Sequence, residues 1–353
     1  MDVEENDDLY GILAEKNIKF VQLGLFKKFE TWYGTAVYFN SENKKLGFYD
    51  ETQMKPGQQG NGYGRGSKII KGKTVKKKKM TNKALSSLND HALSNIQLKS
   101  NPKTSDNQFW LDTLYVCEYC FKYTDVKDDF VNHVHQCSFK EKAPGRIKYK
   151  SPQYTIRRVK GSKHQLFCQC LCLFTKLYLD NKSVFFKLDH YEFYIVYETG
   201  KTIPMAFFSK DLVSYNQNNL ACILTLPPYQ RMGLGSLLIE FSYHLSRLEG
   251  IVSGPELPLS PFGLIGYLRY WSLVICWQLC EGDLSNFERL SIQDISLATG
   301  IRISDIIPTL KHLNCIIDEN HINLKVLKQW LKTHTKPGQN PFMINEEYLL
   351  IDD

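Results

Sequence analysis

Four residues in the first half of the chain have the types and the spacing of a metal site. Cys117 and Cys120 are separated by two residues, His133 follows after twelve more, and Cys137 lies four positions beyond it. Two thiolates on a tight turn, followed by a His and a Cys on one helical face, supply the tetrahedral ligand set that Zn²⁺ prefers. His135 is a poorer ligand, because so close to Cys137 it would point to another face. The spacing favours a structural zinc site over four unrelated core residues.

A strand, a glycine-rich turn and a helix start follow one another further along the chain. Residues 220–226 are apolar and predict a strand that Pro227 stops, and the pattern Q-R-M-G-L-G-S begins at Gln230. Without side chains, Gly233 and Gly235 let backbone N–H groups approach a pyrophosphate, whose charge the helix dipole also favours. The βαβ repeats of a dinucleotide-binding sheet do not accompany the motif. The pattern predicts a pyrophosphate site at the start of a helix.

A carboxylate follows the predicted helix on a loop that two prolines make rigid. Glu256 stands in S-G-P-E-L-P-L-S, between Pro255 and Pro258. Acyl transfer to a lysine needs a base that removes the ammonium proton, and a partly desolvated Glu can be tuned for that task. Most loop carboxylates are merely solvated, so it is the position of Glu256 after the helix that favours a catalytic role.

The composition is that of a globular protein. Of the 353 residues, 43% are hydrophobic and 13% aromatic, which is enough for a large core in one or two closely associated domains. The ten cysteines fit reduced thiols, and we expect Cys168, Cys170 and Cys172 to be core residues because no matching ligand pair follows them. The acidic start and the lack of an apolar run of about 18 to 20 residues predict a soluble protein without a membrane span.

Residues 41–106 lose hydrophobic periodicity and collect glycines and a lysine run, Lys76 to Lys79 with Lys71 and Lys73. This composition predicts a flexible basic insertion. Much of the formal net charge of +7 comes from the run. The run could be a nuclear import signal, a patch for an anionic partner such as chromatin, or a solvated loop.

The remaining pattern predicts an α+β fold. The apolar run from Phe167 to Leu179 indicates a buried helix, and residues 290–331 predict two helices around Gly300 followed by a short strand at Ile322–Leu324, a winged-helix-like arrangement. Its presumed second helix, 304–313, offers few base-reading groups, so no sequence-specific DNA binding is expected. The other predicted elements are strands at 20–23, 35–38, 184–188, 192–197, 205–209 and 220–226, and helices at 233–249 and from Ser260 onward.

Taken together, these features resemble the MYST family of lysine acetyltransferases and, within it, the fungal SAS ("something about silencing") branch. The match runs from K-F-V-Q-L-G around Phe20 and T-W-Y at Thr31, through the finger, to the winged-helix-like tail, and residues 41–106 interrupt it. The terminal E-Y-L-L-I-D-D is one of the segments that support the fungal branch. The resemblance implies a GNAT-like acetyl-CoA-binding core between an N-terminal zinc-finger and β module and a winged-helix-like segment. The implied boundaries are an N-terminal tail at 1–16, an acetyltransferase domain at 17–40 and 107–335 with the finger at 115–140, the core at 150–282 and the winged-helix-like part at 285–335, the insertion at 41–106, and a C-terminal extension at 336–353.

The resemblance also assigns roles to residues of the motifs. Glu256 is implied to be the general base and Cys222 the active-site thiol; direct attack of the lysine amine on the thioester is preferred over transfer through Cys222. Backbone N–H groups near Cys222 and Ile223 would stabilise the oxyanion. Ser260 is an implied CoA contact, although an N-cap role explains it equally well. The implied acetyl-CoA contacts are Ala221, Cys222, Ile223, Leu224, Arg231, Met232, Gly233, Leu234, Gly235, Ser236, Leu237 and Ser260.

Three further positions bear on the resemblance. Lys176 aligns with the lysine that family members acetylate on themselves, and a buried, paired lysine is the alternative. Met232 and Ser236 stand where the family usually has an arginine and a lysine. CoA would then be held with fewer cationic contacts, through Arg231 and the glycines.

The implied substrate is a lysine of the histone H4 N-terminal tail, lysine sixteen of that tail for SAS-type enzymes. The implied partners are the nucleosome and accessory subunits of a SAS-type complex, acting on nuclear chromatin in silencing. Two other classes compete with an active enzyme: a zinc-finger DNA-binding factor and a CoA-binding subunit without activity. A single finger without flanking base-reading repeats argues against the first, and the presence of Glu256 and Cys222 argues against the second.

Deletion of residues 55–100 tests the predicted insertion. Because flexible loops close at little entropic cost, the shortened protein should fold and bind acetyl-CoA nearly as well as the full chain. Thermal melting and calorimetric titration with acetyl-CoA measure the two properties. A product that does not fold would show that the segment is structured and that its predicted boundaries are wrong.

Overall fold

The computed structural model describes residues 12–39, 45–46, 109–179, 186–336 and 338–350. Residues 40–44 and 47–108 lie outside these ranges, so the predicted insertion is described only at residues 45–46 and its lysine run is not described. The strands are β1 (Ile12–Leu13), β2 (Ile18–Leu23), β3 (Lys27–Glu30), β4 (Gly34–Thr35), β5 (Leu111–Val116), β6 (Tyr123–Thr124), β7 (Arg146–Lys150), β8 (Tyr154–Lys160), β9 (Tyr191–Glu198), β10 (Pro204–Asp211) and β11 (Cys222–Thr225).

Seven α-helices are described. They are α1 (Lys127–Gln136), α2 (Gln165–Lys176), α3 (Leu234–Leu248), α4 (Pro261–Cys280), α5 (Ile292–Thr299), α6 (Ile303–His312) and α7 (Leu324–His334). Together with the strands they confirm the predicted α+β class. None of the described helices combines the length and the apolar character that a bilayer crossing needs.

A five-stranded antiparallel sheet in the order β11-β10-β9-β8-β7 carries helices on both faces. Alternate side chains of a strand point to opposite faces, and in β9 both sets are buried. Phe193 and Ile195 belong to the same apolar cluster as α2, whereas Tyr194 and Val196 belong to the cluster that contains Phe241 of α3. Burial on both sides explains why β9 is apolar at nearly every position.

A second, four-stranded sheet in the order β3-β2-β5-β6 supports the predicted metal site. Its central pair, β2 and β5, is parallel, with Ile18 facing Leu111. The buried side chains of this sheet, among them Val21 and Leu114, lie in the cluster that also includes α2. The small sheet therefore packs on the same face of the large sheet as α2.

Helix α3 connects the large sheet to the C-terminal helices. Its Phe241 packs on the sheet, while Tyr243 lies in a separate cluster with Trp271 of α4 and Leu327 of α7. The indole Nε1 of Trp271 donates a 2.7 Å hydrogen bond to the Tyr243 hydroxyl. Both polar ends of these buried aromatic side chains are thus satisfied inside the core.

Several predicted elements are confirmed with small shifts of their ends. The buried helix expected over 167–179 is α2, and the strands expected at 192–197, 205–209 and 220–226 are β9, β10 and β11. The helix expected over 233–249 is α3, closed by Gly250 at φ +68°. Cys168, Cys170 and Cys172 are buried thiols of α2, as expected.

Three predictions in the N-terminal and loop regions differ from the structure. The strand expected at 35–38 is only the two-residue β4, and the segment expected to be a turn contains β3. Three of the four residues of β3 are charged and its burial alternates, which is the pattern of an edge strand and carries little hydrophobic signal. Of the strand expected at 184–188, residues 184–185 lie outside the described ranges and residues 186–188 form no strand.

The end of the winged-helix-like prediction is also wrong. The expected strand at Ile322–Leu324 shrinks to a single β-bridge between Ile316 and Ile322, and helix α7 begins at Leu324. The side chain of Asn323 caps α7 by accepting from the N–H of Lys325. This helix is rich in lysine and buries only Leu327 and Leu331, so its apolar stripe is easily overlooked in the sequence.

The chain after α7 packs back onto α3 and β7. The buried carboxylate of Glu240 accepts the backbone N–H groups of Met343 and Ile344 at 3.0 and 2.8 Å. Leu349 forms a β-bridge with Tyr149. His244, one turn after Glu240, lies 3.4 Å from the Glu346 carboxylate. This arrangement buries a histidine between α3 and the C-terminal segment.

Folding stability should fall as His244 is forced to protonate. Burial, with a smaller contribution from Arg247, lowers the pKa of His244 from 6.5 to about 4. The folded state then binds fewer protons than the unfolded state, so stability is retained above pH 6.5 and is lost as the pH falls towards 4. His244→Gln should flatten this loss, measured as urea midpoints at pH 7.5 and pH 5. His312→Gln, at an exposed site, is the control and should show the same difference between the two urea midpoints as the wild type. An equal effect of both variants would contradict the role of His244 in the pH dependence.

Candidate active site and metal centre

The four predicted metal ligands come together. One donor atom from each of Cys117, Cys120, His133 and Cys137 lies within 4.8 Å of every other, and Cys120 Sγ is 3.2 Å from His133 Nε2. A tetrahedral zinc site with bonds of about 2.0 to 2.3 Å places its ligand atoms about 3.3 to 3.8 Å apart. His135 is exposed and is not part of this group. The donor set therefore fits a closed, structural Zn²⁺ site.

Local backbone geometry aims the ligands at one point. After β5, the N–H of Cys117 donates to the Lys122 carbonyl, and the N–H of Phe121 donates to the Cys117 carbonyl. Phe121 adopts φ +62°, so the chain turns sharply enough to bring Cys120 back towards Cys117. Helix α1 then carries His133 in its last turn and ends at Cys137, four residues later on the same face.

The charge pattern of the cluster also suits a cation. Hydrogen bonds that the imidazole donates to the sulfur atoms of Cys117 and Cys137 raise the pKa of His133 to about 9. Hydrogen bonds from Cys117 and then Cys120 hold the pKa of Cys137 well below its usual range. Thiolates gathered at this distance need a positive partner, which a zinc ion would supply while releasing the shared protons.

The metal module is packed against α2 through aromatic side chains. The ring of Phe121 lies 5.4 Å from that of Phe174 and 5.9 Å from that of Phe167. Phe139, just after the last ligand, lies 5.5 Å from Phe167. The metal would hold the short hairpin and α1 in the shape that makes these contacts.

A partly buried ion pair connects the metal module to the residue just before the predicted phosphate loop. Glu118, between the first two ligands, accepts a 2.8 Å hydrogen bond from Lys27. The Lys27 ammonium also lies 5.8 Å from the centre of the Tyr229 ring. Burial disfavours the charge on Lys27, but the hydrogen bond to Glu118 and the nearby Tyr229 raise its pKa. A Cβ at Gly24 would lie within 2.7 Å of the Glu118 carboxylate, so only glycine fits there.

The predicted phosphate loop has the geometry that backbone binding of an anion requires. Helix α3 begins at Gly233 with φ +78°, and no side chain caps its first turn. Arg231 also adopts a positive φ of +64°, which is uncommon outside glycine and frequent at functional sites. A Cβ at Gly235 would meet nothing closer than Thr225 Oγ1 at 3.9 Å, so the space beside the glycine is open.

The residues predicted to contact the ligand divide into two kinds. Arg231, Met232 and Gly233 are exposed, and Ser236 is half-buried, so their side chains or backbone face solvent. Leu234 and Leu237 are buried in the core. Any contact from these two leucines would therefore come from backbone N–H groups.

The strand beside the loop is the edge of the large sheet. The N–H of Leu226 donates to the Met205 carbonyl, and pairing alternates along an antiparallel ladder, so Ile223 and Thr225 direct their N–H groups away from β10. On this outer side, among the described residues, a β-bridge is present only at Leu220, with Pro255. The half-buried Cys222 lies immediately beyond this bridge, where the two segments separate.

The same bridge places Glu256. Its N–H donates a 2.8 Å hydrogen bond to the Leu220 carbonyl, and the N–H of Asn219 donates to the Gly254 carbonyl. Glu256 borders a cavity of about 380 Å³ that Asp211, Tyr215 and Arg302 also line. The residue is exposed, so the expectation of a partly desolvated carboxylate is wrong for the chain alone. The open cleft, which a bound substrate would cover, is the physical reason.

Two other predicted site residues occupy clear structural positions. The Ser260 hydroxyl accepts the Gly263 N–H at 3.1 Å and caps α4, with Pro261 at the first helical position. The capping interpretation of Ser260 is therefore confirmed. Lys176 lies at the end of α2 and is 3% exposed, which agrees with a buried, paired lysine.

Arg302 and Asn218, which line the same cleft, were missed in the sequence. They are 84 positions apart and carry no local motif, yet a 2.9 Å hydrogen bond joins them. Lys27 and Glu118, 91 positions apart, escaped notice for the same reason. Only Gly254, in the motif S-G-P-E, indicated in the sequence that other residues pack closely against the loop of Glu256.

Removal of one metal ligand should unfold the module before it affects chemistry. Cys120→Ser should lower the thermal midpoint and solubility, because a structural zinc contributes folding free energy directly. Elemental analysis should give about one zinc per wild-type chain, as the four-ligand count requires. Cys315→Ser, at a buried thiol far from the cluster, is the control for loss of a core sulfur. Wild-type protein that is free of metal and fully stable would refute the zinc assignment.

Comparisons with known proteins agree with the geometry. A sequence profile described as MOZ/SAS family matches residues 142–349. The chain is 58% identical over 350 residues to histone acetyltransferase SAS2 of Saccharomyces cerevisiae, covering 99% of this chain and 89% of SAS2. It is 42% identical to histone acetyltransferase MOF of Drosophila melanogaster over 67% of this chain and 26% of MOF. It is 39% identical to the histone acetyltransferase Tip60 homolog of Caenorhabditis elegans over 58% of this chain and 45% of that protein.

The profile spans more than half of the chain, and the similarity to the yeast protein extends along nearly all of it. The metal cluster lies outside the profile but inside the region shared with that relative. The chain therefore belongs to the MOZ/SAS family, the MYST group that its motifs resemble.

Proposed function

We propose that the protein is a nuclear histone acetyltransferase that transfers the acetyl group of acetyl-CoA to a lysine of the histone H4 tail. The observation that carries the proposal is the bridge between Leu220 and Pro255, because it brings the Cys222 strand and the Glu256 loop together next to the phosphate loop. Membership in the MOZ/SAS family and similarity to proteins named histone acetyltransferase support the reaction type.

Acetyl-CoA is the proposed acyl donor, held by a GNAT-like core at residues 150–282. Its pyrophosphate would bind the backbone N–H groups from Arg231 to Leu237, where the helix start lacks a side-chain cap and Gly233 and Gly235 leave space. Arg231 supplies the positive charge of this segment. Its thioester would lie along the outer edge of β11, near Cys222 and Ile223.

Glu256 is the proposed general base. It accepts a proton from the substrate ammonium, and the neutral amine attacks the thioester carbonyl carbon. The outward N–H of Ile223 stabilises the negative oxygen of the tetrahedral intermediate. Collapse of the intermediate breaks the carbon–sulfur bond and expels CoA as a thiolate. The thiolate takes the second proton, which the attacking nitrogen loses, so the products are acetylated lysine and the CoA thiol. Direct attack is preferred to an acetyl-Cys222 intermediate, because the sequence around Cys222, residues 211–230, contains no lysine, arginine or histidine that could activate the thiol.

The remaining assignments are finer parts of the same proposal. Zn²⁺ on Cys117, Cys120, His133 and Cys137 would act structurally, and residues 285–335 would form a winged-helix-like layer. Lysine sixteen of the H4 tail, a role in silencing and accessory subunits of a SAS-type complex follow from the similarity to SAS2. Autoacetylation of Lys176 would require its buried side chain to become accessible, so the paired role is favoured.

Glu256→Gln should lower turnover while leaving acetyl-CoA affinity unchanged. Loss of a positioned general base costs about 10²- to 10⁴-fold in rate. The defect should shrink at high pH, because more of the substrate lysine then arrives as the neutral amine. The measurement is steady-state acetylation of an H4-tail peptide and of nucleosomes between pH 7 and pH 9, with acetyl-CoA binding measured by calorimetry and product sites by mass spectrometry.

Two further variants complete the test of the base. Glu319→Gln, at an exposed position away from the cleft, is the matched control and should turn over like wild type. Cys222→Ala should be milder than Glu256→Gln, and no acetyl-cysteine should accumulate when the peptide is withheld. If Glu256→Gln turned over at the wild-type rate at pH 7 with saturating substrates, Glu256 would not be the general base.

A further inference from the structure

Arg302 connects the C-terminal helices to both walls of the Glu256 cleft. It is the N-cap residue of α6, and its Nη2 donates to the Asn216 carbonyl at 2.6 Å and to Asn218 Oδ1 at 2.9 Å. Its Nη1 lies 3.4 Å from the Pro255 carbonyl, a longer contact. One guanidinium therefore reaches the segment 214–218 on one wall and the loop that carries Glu256 on the other.

Close packing beneath the guanidinium leaves the loop little freedom. A Cβ at Gly254 would lie 2.6 Å from Asp305 Oδ2 and 3.3 Å from Arg302 Cδ, so the backbone of Gly254 rests directly on both side chains. Asp305 is buried. Burial raises the pKa of Asp305 to about 6, and the charge of Arg302 opposes that rise. The positive charge that compensates the Asp305 carboxylate is therefore carried by Arg302, the residue that also contacts the loop of Glu256.

Backbone contacts reinforce the same attachment. Ser253 forms a parallel β-bridge with Ile301, and its N–H donates to the Gly300 carbonyl at 3.1 Å. The Ser253 hydroxyl donates to Ser246 of α3. The residues just before Glu256 are therefore anchored on the start of α6, and Arg302 extends this anchor to the opposite wall.

We infer that Arg302 is a positioning residue, which sets the width of the cleft between residues 214–218 and the loop of Glu256. This inference rests on the proposed function, since the cleft is where the substrate lysine would reach the base. Arg302 itself acts through Pro255 and Asn218 and takes no part in proton transfer. Misplacement of a catalytic group by about 1 Å costs about 10²-fold in rate, so a small change of width would be measurable.

Holding both walls of the cleft requires the guanidinium group of Arg302. It is planar and offers five donors in a fixed fork, whereas a lysine ammonium is a single point from which three separated acceptors cannot be reached together. Arg302→Lys keeps the charge beside Asp305 and removes the span between the walls. Asn218→Ala removes an acceptor from one wall and leaves Arg302 and Asp305 in place.

Kinetics of these variants test the inference. Arg302→Lys and Asn218→Ala should each lower kcat/KM for the H4-tail peptide, and the loss for Arg302→Lys should be about 10- to 100-fold. The Kd for acetyl-CoA should change less than about twofold in both variants, because neither substitution touches the phosphate loop. The kcat/KM of the double variant should be no lower than that of Arg302→Lys alone, because both substitutions break the same contact between residues 302 and 218. Asn218→Asp, which retains the acceptor, should restore most of the activity that Asn218→Ala loses. Arg289→Lys, at an exposed position, is the matched control.

Hydrogen exchange gives a second measurement that does not need activity. Arg302→Lys should speed amide exchange in peptides covering both 214–218 and 253–258, and Arg289→Lys should not. Unchanged kinetics and exchange in folded Arg302→Lys protein would overturn the inference, as would additive effects in the double variant. If Arg302→Lys does not fold, Asn218→Ala decides the question alone. A wild-type protein that binds acetyl-CoA but acetylates nothing would refute the proposed function, and the exchange data would still test Arg302.

Discussion

The proposed site depends on the pairing of β11, which differs between the two edges of the strand. The strand is bonded to β10 along its length, but on its other side the described residues form a bridge with it only through Leu220. The N–H groups of Ile223 and Thr225, beyond this bridge, point away from β10, towards the side where a ligand could accept hydrogen bonds from them. The two segments, one with Cys222 and the other with Glu256, meet at this bridge and then separate. In the proposed site, the donors between them would bind a hydrogen-bond acceptor of the ligand.

The features that could be predicted from the sequence are those decided within about twenty neighbouring residues. Spacing alone identified Cys117, Cys120, His133 and Cys137, because a turn and one helical face bring such ligands together. Helix α2 was predictable because burial on all sides leaves a run that is apolar at nearly every position. The start of α3 was predictable because the positive φ of Gly233 favours glycine at the position just before the helix.

The features that were missed depend on contacts between distant parts of the chain. Strand β3 is mostly charged and forms only because β2 pairs with it, and α7 is held by two buried leucines on a lysine-rich helix. The positive φ of Arg231 has no signal in residue type. The partners of Lys27 and of Arg302 become visible only when segments more than eighty positions apart are brought together, and the exposure of Glu256 depends on a cleft formed by several loops.

The parallel pairing of β2 with β5 has a consequence for the speed of folding. Ile18 faces Leu111, a separation of 93 positions (111 − 18). Closing a chain segment of that length costs little stability, since each doubling of loop length adds only about 0.6 kcal/mol. Pairings between distant residues nevertheless slow folding, because the entropy of closure is lost before the contacts form. The large sheet, built from strands near each other in the chain, can assemble first, and the metal-binding module would then be the last part of the molecule to acquire its native partners.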